Sequence, residues 1–268
     1  INRKEKNMKN IQEITKNNSR GRLSMVTCYD YTFAKIISKT NVDMVLVGDS
    51  AAMVIHGYAN TIPATINMMQ AHVQSVSKGL NGKFLIADMP FLEHRKSLKR
   101  TMNSVDLLMK AGANAIKIEG GSHHLETIEY IVNSGIPVMG HLGLTPQSVH
   151  SLGGWKLQGK TKEKANIISS DAKKLEDAGV FSIVLEMVPN QLSTKITQKL
   201  NIPTIGIGAG PGTSGQVLVL QDILGMSKDF NPTFARKYVD GNKIITEALN
   251  KFNGDVKNGD FPNKSETF

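Results

Sequence analysis

Short apolar runs alternate with longer amphipathic stretches along most of the chain. The runs are LSMVTC (23–28), MVLVG (44–48), FLIADM (84–89), AIKIE (115–119), PVMGHLG (137–143), SIVLEM (182–187), PTIGIGAG (203–210) and QVLVLQD (216–222). Each is short, rich in branched residues and followed by polar or glycine residues, the pattern of a parallel strand buried on both faces. Between most of them the period lengthens to that of a helix, as over 65–79, 97–111, 123–134 and 161–178. Gly79, Gly112, Gly135 and Gly179 stand where a helix end calls for left-handed backbone. The connection LTPQSVHSLGGWKLQGKT after the fifth run is long and rich in turn residues, and is expected to cover a site. Between the seventh and eighth runs there is only a glycine-rich loop. A last helix is expected over 231–252.

Eight strands at this spacing fit either a (β/α)8 barrel or a doubly wound sheet. The polar positions favour the barrel. Asp49 follows the second run, Asp88 lies in the third, Lys117 and Glu119 in the fourth, His141 in the fifth and Glu186 in the sixth. A barrel gathers groups from the C-terminal ends of many strands, whereas an open sheet concentrates them at one switch point. Strand parity sets their direction. If Ile116 and Ile118 face the outer helices, Lys117 and Glu119 face the interior; Glu186 shares a face with Val184 and Ser182, and Asp88 with Ile86 and Phe84. A buried lysine two residues from a buried glutamate is costly unless paired or liganded, and a structural ion pair is one reading of it.

The chain's 268 residues, 40% hydrophobic and 21% charged, suit a single barrel-sized domain over 22–252. A net charge of +9 suggests nucleic acid, but residues 1–22 hold seven basic residues against Glu5 and Glu13 and so account for +5 of it. Residues 1–21 therefore read as a basic, flexible arm without the apolar stretch of a secretory signal, and 253–268 as a polar tail. With 6% aromatics and no basic stripe interleaved with them, nucleic-acid binding is not expected. The lone Cys28 excludes an intramolecular disulfide and fits a reducing, cytoplasmic setting. No apolar run approaches ~18 residues, so no membrane-spanning helix is expected.

Three motifs test the chemistry. GDS at 48–50 resembles an esterase nucleophile block, yet all seven histidines lie within the first 150 residues and none follows an aspartate by three, so Ser50 lacks a downstream base. GPGTSG at 210–215 matches G-x-G-x-x-G but runs into an apolar strand instead of opening a helix, which argues against a dinucleotide fold. His56 and His72 have no metal-ligand partner at i+4, and His123 and His124 read as helix-start residues, so zinc is not expected. What remains is two aspartates on adjacent strand ends with a glutamate on the next. Oxygen ligands of this kind permit a hard cation such as Mg2+ with positions open to an α-keto acid.

At these residues the chain resembles the ketopantoate hydroxymethyltransferase family. The carrying segments are TCYDYTFAK (27–35), LVGDS (46–50), ADMPF (87–91), AGANAIKIEGG (111–121), GHLGLTPQSV (140–149), GGWKLQG (153–159), LEMVP (185–189), IPTIGIGAG (202–210) and GQVLVLQD (215–222). The resemblance implies a (β/α)8 barrel, a homodecamer, and transfer of a hydroxymethyl group from 5,10-methylenetetrahydrofolate to 3-methyl-2-oxobutanoate in pantothenate synthesis. It implies Asp49 and Asp88 as Mg2+ ligands, with Glu119 holding the metal site directly or through water. Ser50 and Lys117 would bind the substrate carboxylate and His141 would lie near the keto group, so that Asp49, Ser50, Asp88, Lys117 and His141 line the substrate. Glu186 would be the proton acceptor. Ala51-Ala52, Leu92-Glu93-His94 and PGTSGQ depart from the family's usual spelling, and none of them includes a proposed metal ligand. A Mg2+-dependent keto-acid lyase or aldolase and a basic nucleic-acid-binding module are the competing readings.

Overall fold

The computed structural model describes residues 11–15, 22–227 and 232–268. Most of the basic arm expected over 1–21 lies outside the described residues. Up to Leu218 the chain forms one compact unit, and Val219–Phe268 form a second.

The first unit is a closed barrel of eight parallel strands in sequential order. They are β1 (Leu23–Thr27), β2 (Met44–Val47), β3 (Phe84–Asp88), β4 (Ala115–Glu119), β5 (Val138–Gly143), β6 (Ser182–Glu186), β7 (Thr204–Ile207) and β8 (Gly215–Leu218). The expected run over β4 matches residue for residue; β1, β2, β3, β5 and β6 are one residue shorter than their runs and β7 four shorter, while β8 starts one residue before its run, at Gly215, and ends four before the run does. The barrel closes where Leu23 of β1 pairs with Gly215 of β8. The helices are α1 (Ile11–Thr15), α2 (Tyr31–Ile37), α3 (Ala51–Val54), α4 (Ile66–Gly79), α5 (Leu98–Lys110), α6 (Leu125–Asn133), α7 (Lys162–Asp177) and α8 (Asn190–Lys199). Side chains of Asp30, Thr65 and Thr161 accept from the first-turn N–H groups of α2, α4 and α7 and so fix where those helices begin. No helix separates β7 from β8, as the glycine-rich loop implied.

Gly112, Gly135 and Gly179 have positive φ, as expected of residues that end helices. Gly79 does not. It stays inside α4, where a Cβ would stand 2.6 Å from the Tyr31 carbonyl oxygen, so its glycine serves a close approach to α2.

Alternation sorts the strand side chains into two layers. Leu23, Met25, Met44, Leu46, Phe84, Ile86, Ala115, Met139, Val184, Ile205 and Val217 form the apolar filling of the lower barrel. Ile14 of α1 is fully buried in that cluster, so this short stretch of the arm does not stand in solvent: it caps the N-terminal end of the barrel. Ile11, one turn earlier and partly buried, packs against the same cluster, so two isoleucines in a lysine- and asparagine-rich leader bury one face of this short helix. Above the apolar layers, at the C-terminal strand ends, the inward positions become Asp88, Lys117, Glu119, His141 and Glu186.

The second unit holds α9 (Leu220–Ile223) and α10 (Gly241–Asn258). Residues 219–222, read as the end of a strand, instead enter α9. The expected final helix begins ten residues later and ends six later than 231–252, because Asp240 caps its start and the left-handed Gly259 its end. The helix therefore takes in the start of the expected polar tail. Among the described residues no helix is long and apolar enough to cross a membrane.

Candidate active site

Register places the inward groups on two levels. Asp88 lies opposite Lys117 across β3 and β4, and Glu119 opposite His141 across β4 and β5. The Lys117 ammonium donates to Asp88 Oδ1 at 2.5 Å and stands 3.8 Å from Glu119 Oε1. Its principal partner is therefore on the neighbouring strand, not the glutamate two residues on. One level up, His141 Nδ1 lies 3.3 Å from Glu119 Oε1, and its Nε2 3.2 Å from Glu186 Oε2. These are ion-pair distances without alignment: neither ring nitrogen, nor Glu119 Oε1, has a well-directed hydrogen bond.

Asp49 follows β2, and its backbone N–H donates to Asp88 Oδ2 at 3.1 Å. Ser50 begins α3 without capping it; its hydroxyl instead lies 2.8 Å from that of Tyr29, a fully enclosed residue just beyond β1. Burial pushes the Tyr29 phenol up, so it remains a neutral hydroxyl partner for Ser50. The sequence-predicted residues thus come together at one end of the barrel, with Asp49, Asp88, Lys117, Glu119 and His141 buried and Glu186 partly open.

Electrostatics divide the carboxylates. Burial raises Asp49 well above the usual range, and the charges of Asp88 and Glu119 add to it. Burial likewise raises Asp88, against the pull of Lys117. For Lys117 burial works against the charge, but Asp88, Glu119 and Asp49 outweigh it and hold the ammonium above its usual range. For His141, burial and then Lys117 disfavour the proton, yet Glu119 and Glu186 raise it to about 9. Burial pushes Glu119 up, but the imidazolium, Lys117 and the Gln147 N–H together hold it low.

With every acid ionised, four carboxylates face one ammonium and one imidazolium, and two negative charges are left uncompensated. That deficit, and the reluctance of Asp49 and Asp88 to ionise, fit a divalent cation. Among the described residues no three or more His, Cys, Asp or Glu side chains gather as a ligand cluster. A hard cation that keeps several waters and takes one or two protein carboxylates suits Asp49 and Asp88, with Glu119 occupied behind them.

Two groups escaped the sequence reading. Gln147, on the short turn Pro146–Ser148 after β5, donates its Nε2 to Asp49 Oδ2 and to the Met89 carbonyl oxygen, each at 2.9 Å, and its backbone N–H to Glu119 Oε2 at 3.0 Å. An uncharged glutamine in a turn-rich loop carries no signal beyond its place just past a strand end. The second group is His72, whose Nδ1 lies 2.7 Å from the Tyr29 carbonyl oxygen and whose Nε2 lies 2.9 Å from His56 Nε2. These histidines meet across 16 residues, beyond the i+4 spacing considered above.

Backbone geometry holds Glu186. The next residue, Met187, has φ +48, rare for a side chain of its size. Its N–H donates to the Ile207 carbonyl oxygen, its carbonyl oxygen accepts from Gln158 N, and the Glu186 carbonyl oxygen accepts from Leu144 N. Gly143 has φ +94, and a Cβ there would stand 2.2 Å from the Glu186 carbonyl oxygen.

Compared with known proteins, residues 6–264 match the family described as ketopantoate hydroxymethyltransferase. The chain belongs to that family. A 3-methyl-2-oxobutanoate hydroxymethyltransferase of Coxiella burnetii (strain Dugway 5J108-111) is 52% identical over 257 residues, covering 96% of each chain. One of Francisella tularensis subsp. novicida (strain U112) is 52% identical over 250 residues, covering 93% of this chain and 94% of its own. Among solved structures, 2,3-dimethylmalate lyase, a PEP mutase/isocitrate lyase superfamily member, superposes with a TM-score of 0.59 at 15% identity, covering 96% of this chain and 91% of its own. Phosphonopyruvate hydrolase in complex with oxalate and Mg++ gives 0.61 at 10% identity, covering 96% and 92%. Likeness at such low identity concerns the fold of this ketopantoate hydroxymethyltransferase family member, a (β/α)8 barrel.

Proposed function

We propose that this chain transfers a hydroxymethyl group from 5,10-methylenetetrahydrofolate to 3-methyl-2-oxobutanoate, giving ketopantoate for pantothenate synthesis in the cytoplasm. The observation that carries the reading is the joint placement of Asp49, Asp88, Lys117, Glu119, His141 and Glu186 at one barrel end, in a chain half identical to relatives of that name. Mg2+, held by Asp49 and Asp88, would supply Lewis-acid polarisation of the keto oxygen.

The chain's own residues do the rest. Lys117 and the Ser50 hydroxyl, steadied by Tyr29, receive the substrate carboxylate. Glu186 Oε2, on the partly open side of the site, takes the proton from C3. The resulting enolate carbon attacks the folate methylene and breaks one of its two C–N bonds; water then supplies the hydroxyl that replaces the second nitrogen, and the protons from C3 and from water go to the two freed nitrogens of tetrahydrofolate. His141 lies between Glu186 and Glu119, where a protonated ring holds both carboxylates in place and faces the keto group. The strained backbone at Met187 and the clamp of Leu144 N fix the direction of Glu186 throughout.

The test is exchange of the C3 proton of 3-methyl-2-oxobutanoate in deuterated water with Mg2+ present. Glu186→Gln should bind metal and keto acid yet lose exchange by about 10²–10⁴-fold, the usual effect of removing a placed general base. Exchange at the wild-type rate would remove Glu186 from the proton-accepting role.

A further inference from the structure

Five residues at the end of β5, Gly143 to Gln147, touch three separate acids of the site. Leu144 N donates to the Glu186 carbonyl oxygen at 2.8 Å, Gln147 N to Glu119 Oε2 at 3.0 Å, and Gln147 Nε2 to Asp49 Oδ2 at 2.9 Å. Gln147 is 5% exposed, and its second Nε2 contact, also 2.9 Å, is to the Met89 carbonyl oxygen. A carbonyl only accepts, so the NH2 end must face Met89, and the same NH2 group then donates to Asp49. The orientation of the amide is thereby settled by its partners. One Asp49 oxygen is committed to this bond.

We propose that Gln147 is a positioning residue for the cation-binding carboxylates, acting as the reference that sets Asp49 against Glu119 and both against the backbone of Glu186. It rests on the reading above that Asp49 and Asp88 hold a divalent cation. By engaging Oδ2, Gln147 fixes the plane of the Asp49 carboxylate. The same turn of chain, through Leu144 N, ties that carboxylate to the backbone of Glu186. Outer hydrogen-bonding partners of this kind typically carry 10–100-fold in metal affinity or activity. Gln147→Met would keep the volume and leave both Asp49 Oδ2 and the Met89 carbonyl oxygen without the Gln147 donor.

The experiment uses the full chain and Mn2+ as a spectroscopic probe for the oxygen-ligand site, titrated by electron paramagnetic resonance. Gln147→Met and Gln147→Leu are compared with the wild type, with circular dichroism as the check that each is folded. The expected result is Mn2+ binding weakened by about 10–100-fold, an altered Mn2+ line shape at saturation, and a lowered turnover with the KM for folate unchanged. Wild-type Mn2+ affinity and line shape in a folded variant would overturn the role of Gln147 while leaving the catalytic reading untouched. Failure of the wild type itself to bind Mn2+ would overturn both.

Discussion

Replacing Lys117 by methionine removes the single fixed positive charge from a cluster of buried acids. At an effective dielectric of ~20, the 2.5 Å contact to Asp88 amounts to about 7 kcal/mol and the 3.8 Å contact to Glu119 to about 4 kcal/mol. Desolvation of the ammonium takes back several kcal/mol, which leaves a net loss of about 3–5 kcal/mol for truncating one partner of a buried pair. For a chain of this size that lowers the melting temperature by about 6–10 °C. The acids can escape part of the cost by taking up a proton, so the loss should be smaller at pH 5 than at pH 8. A divalent cation should repair more of it than in the wild type, because the variant has one more uncompensated negative charge. The assay is thermal melting followed by circular dichroism, with chelator and then at one Mg2+ concentration for both proteins, about 100 times the wild-type dissociation constant, where binding contributes about 2.7 kcal/mol to the wild type and more to a variant that binds more tightly. Equal melting of variant and wild type in chelator, or a Mg2+-induced shift no larger in the variant, would refute the charge balance drawn for this site.

Two further outcomes are expected. His94 is buried, and burial, followed by His124 and Arg95, lowers its pKa to about 3, below the ordinary value of 6.5. The unfolded chain therefore takes the proton first, so the stability held above pH ~6.5 is lost as pH falls toward about 3, reaching ~2.7 kcal/mol at pH ~4.5. His94→Phe should lack that component, and urea melts at pH 7 and 4.5 that change equally for both proteins would refute it. Gly143→Ala would force a Cβ against the Glu186 carbonyl oxygen in left-handed backbone, costing about 1–2 kcal/mol from the backbone alone. Displacement of the base should slow C3 exchange by roughly 10²-fold; wild-type melting and exchange in this variant would show that the contact is not needed.

Much of the barrel was legible because each strand is buried on both faces and so spells itself as a compact apolar run. The site was legible wherever a charge interrupted such a run, since parity then gives its direction: Asp88, Lys117, Glu119, His141 and Glu186 all point inward as the alternation requires. Parity does not give level. The partner of Lys117 is Asp88 because the stagger between β3 and β4 sets them opposite, and no local pattern encodes that stagger. Gln147 was hidden for a similar reason, as its hydrogen bond to Asp49 spans 98 residues and starts from a neutral side chain in a loop. Ile14 was hidden by composition, its contact and that of Ile11 with the barrel floor outweighed by the lysines and asparagines around them.

The two-level register also decides which changes of length the chain can absorb. One residue inserted within β3, β4, β5 or β6 would reverse the alternation beyond it and turn an acid, the ammonium or the imidazole outward among the helices. A residue added after those strands displaces nothing that the pairing fixes. Ala51-Ala52, Leu92-Glu93-His94 and Pro211 to Ser214 lie beyond the C-terminal end of the preceding strand, whereas Gly215 and Gln216 already pair in β8. Variation in reach, specificity and access has room there, while the strands beneath keep count for the chemistry.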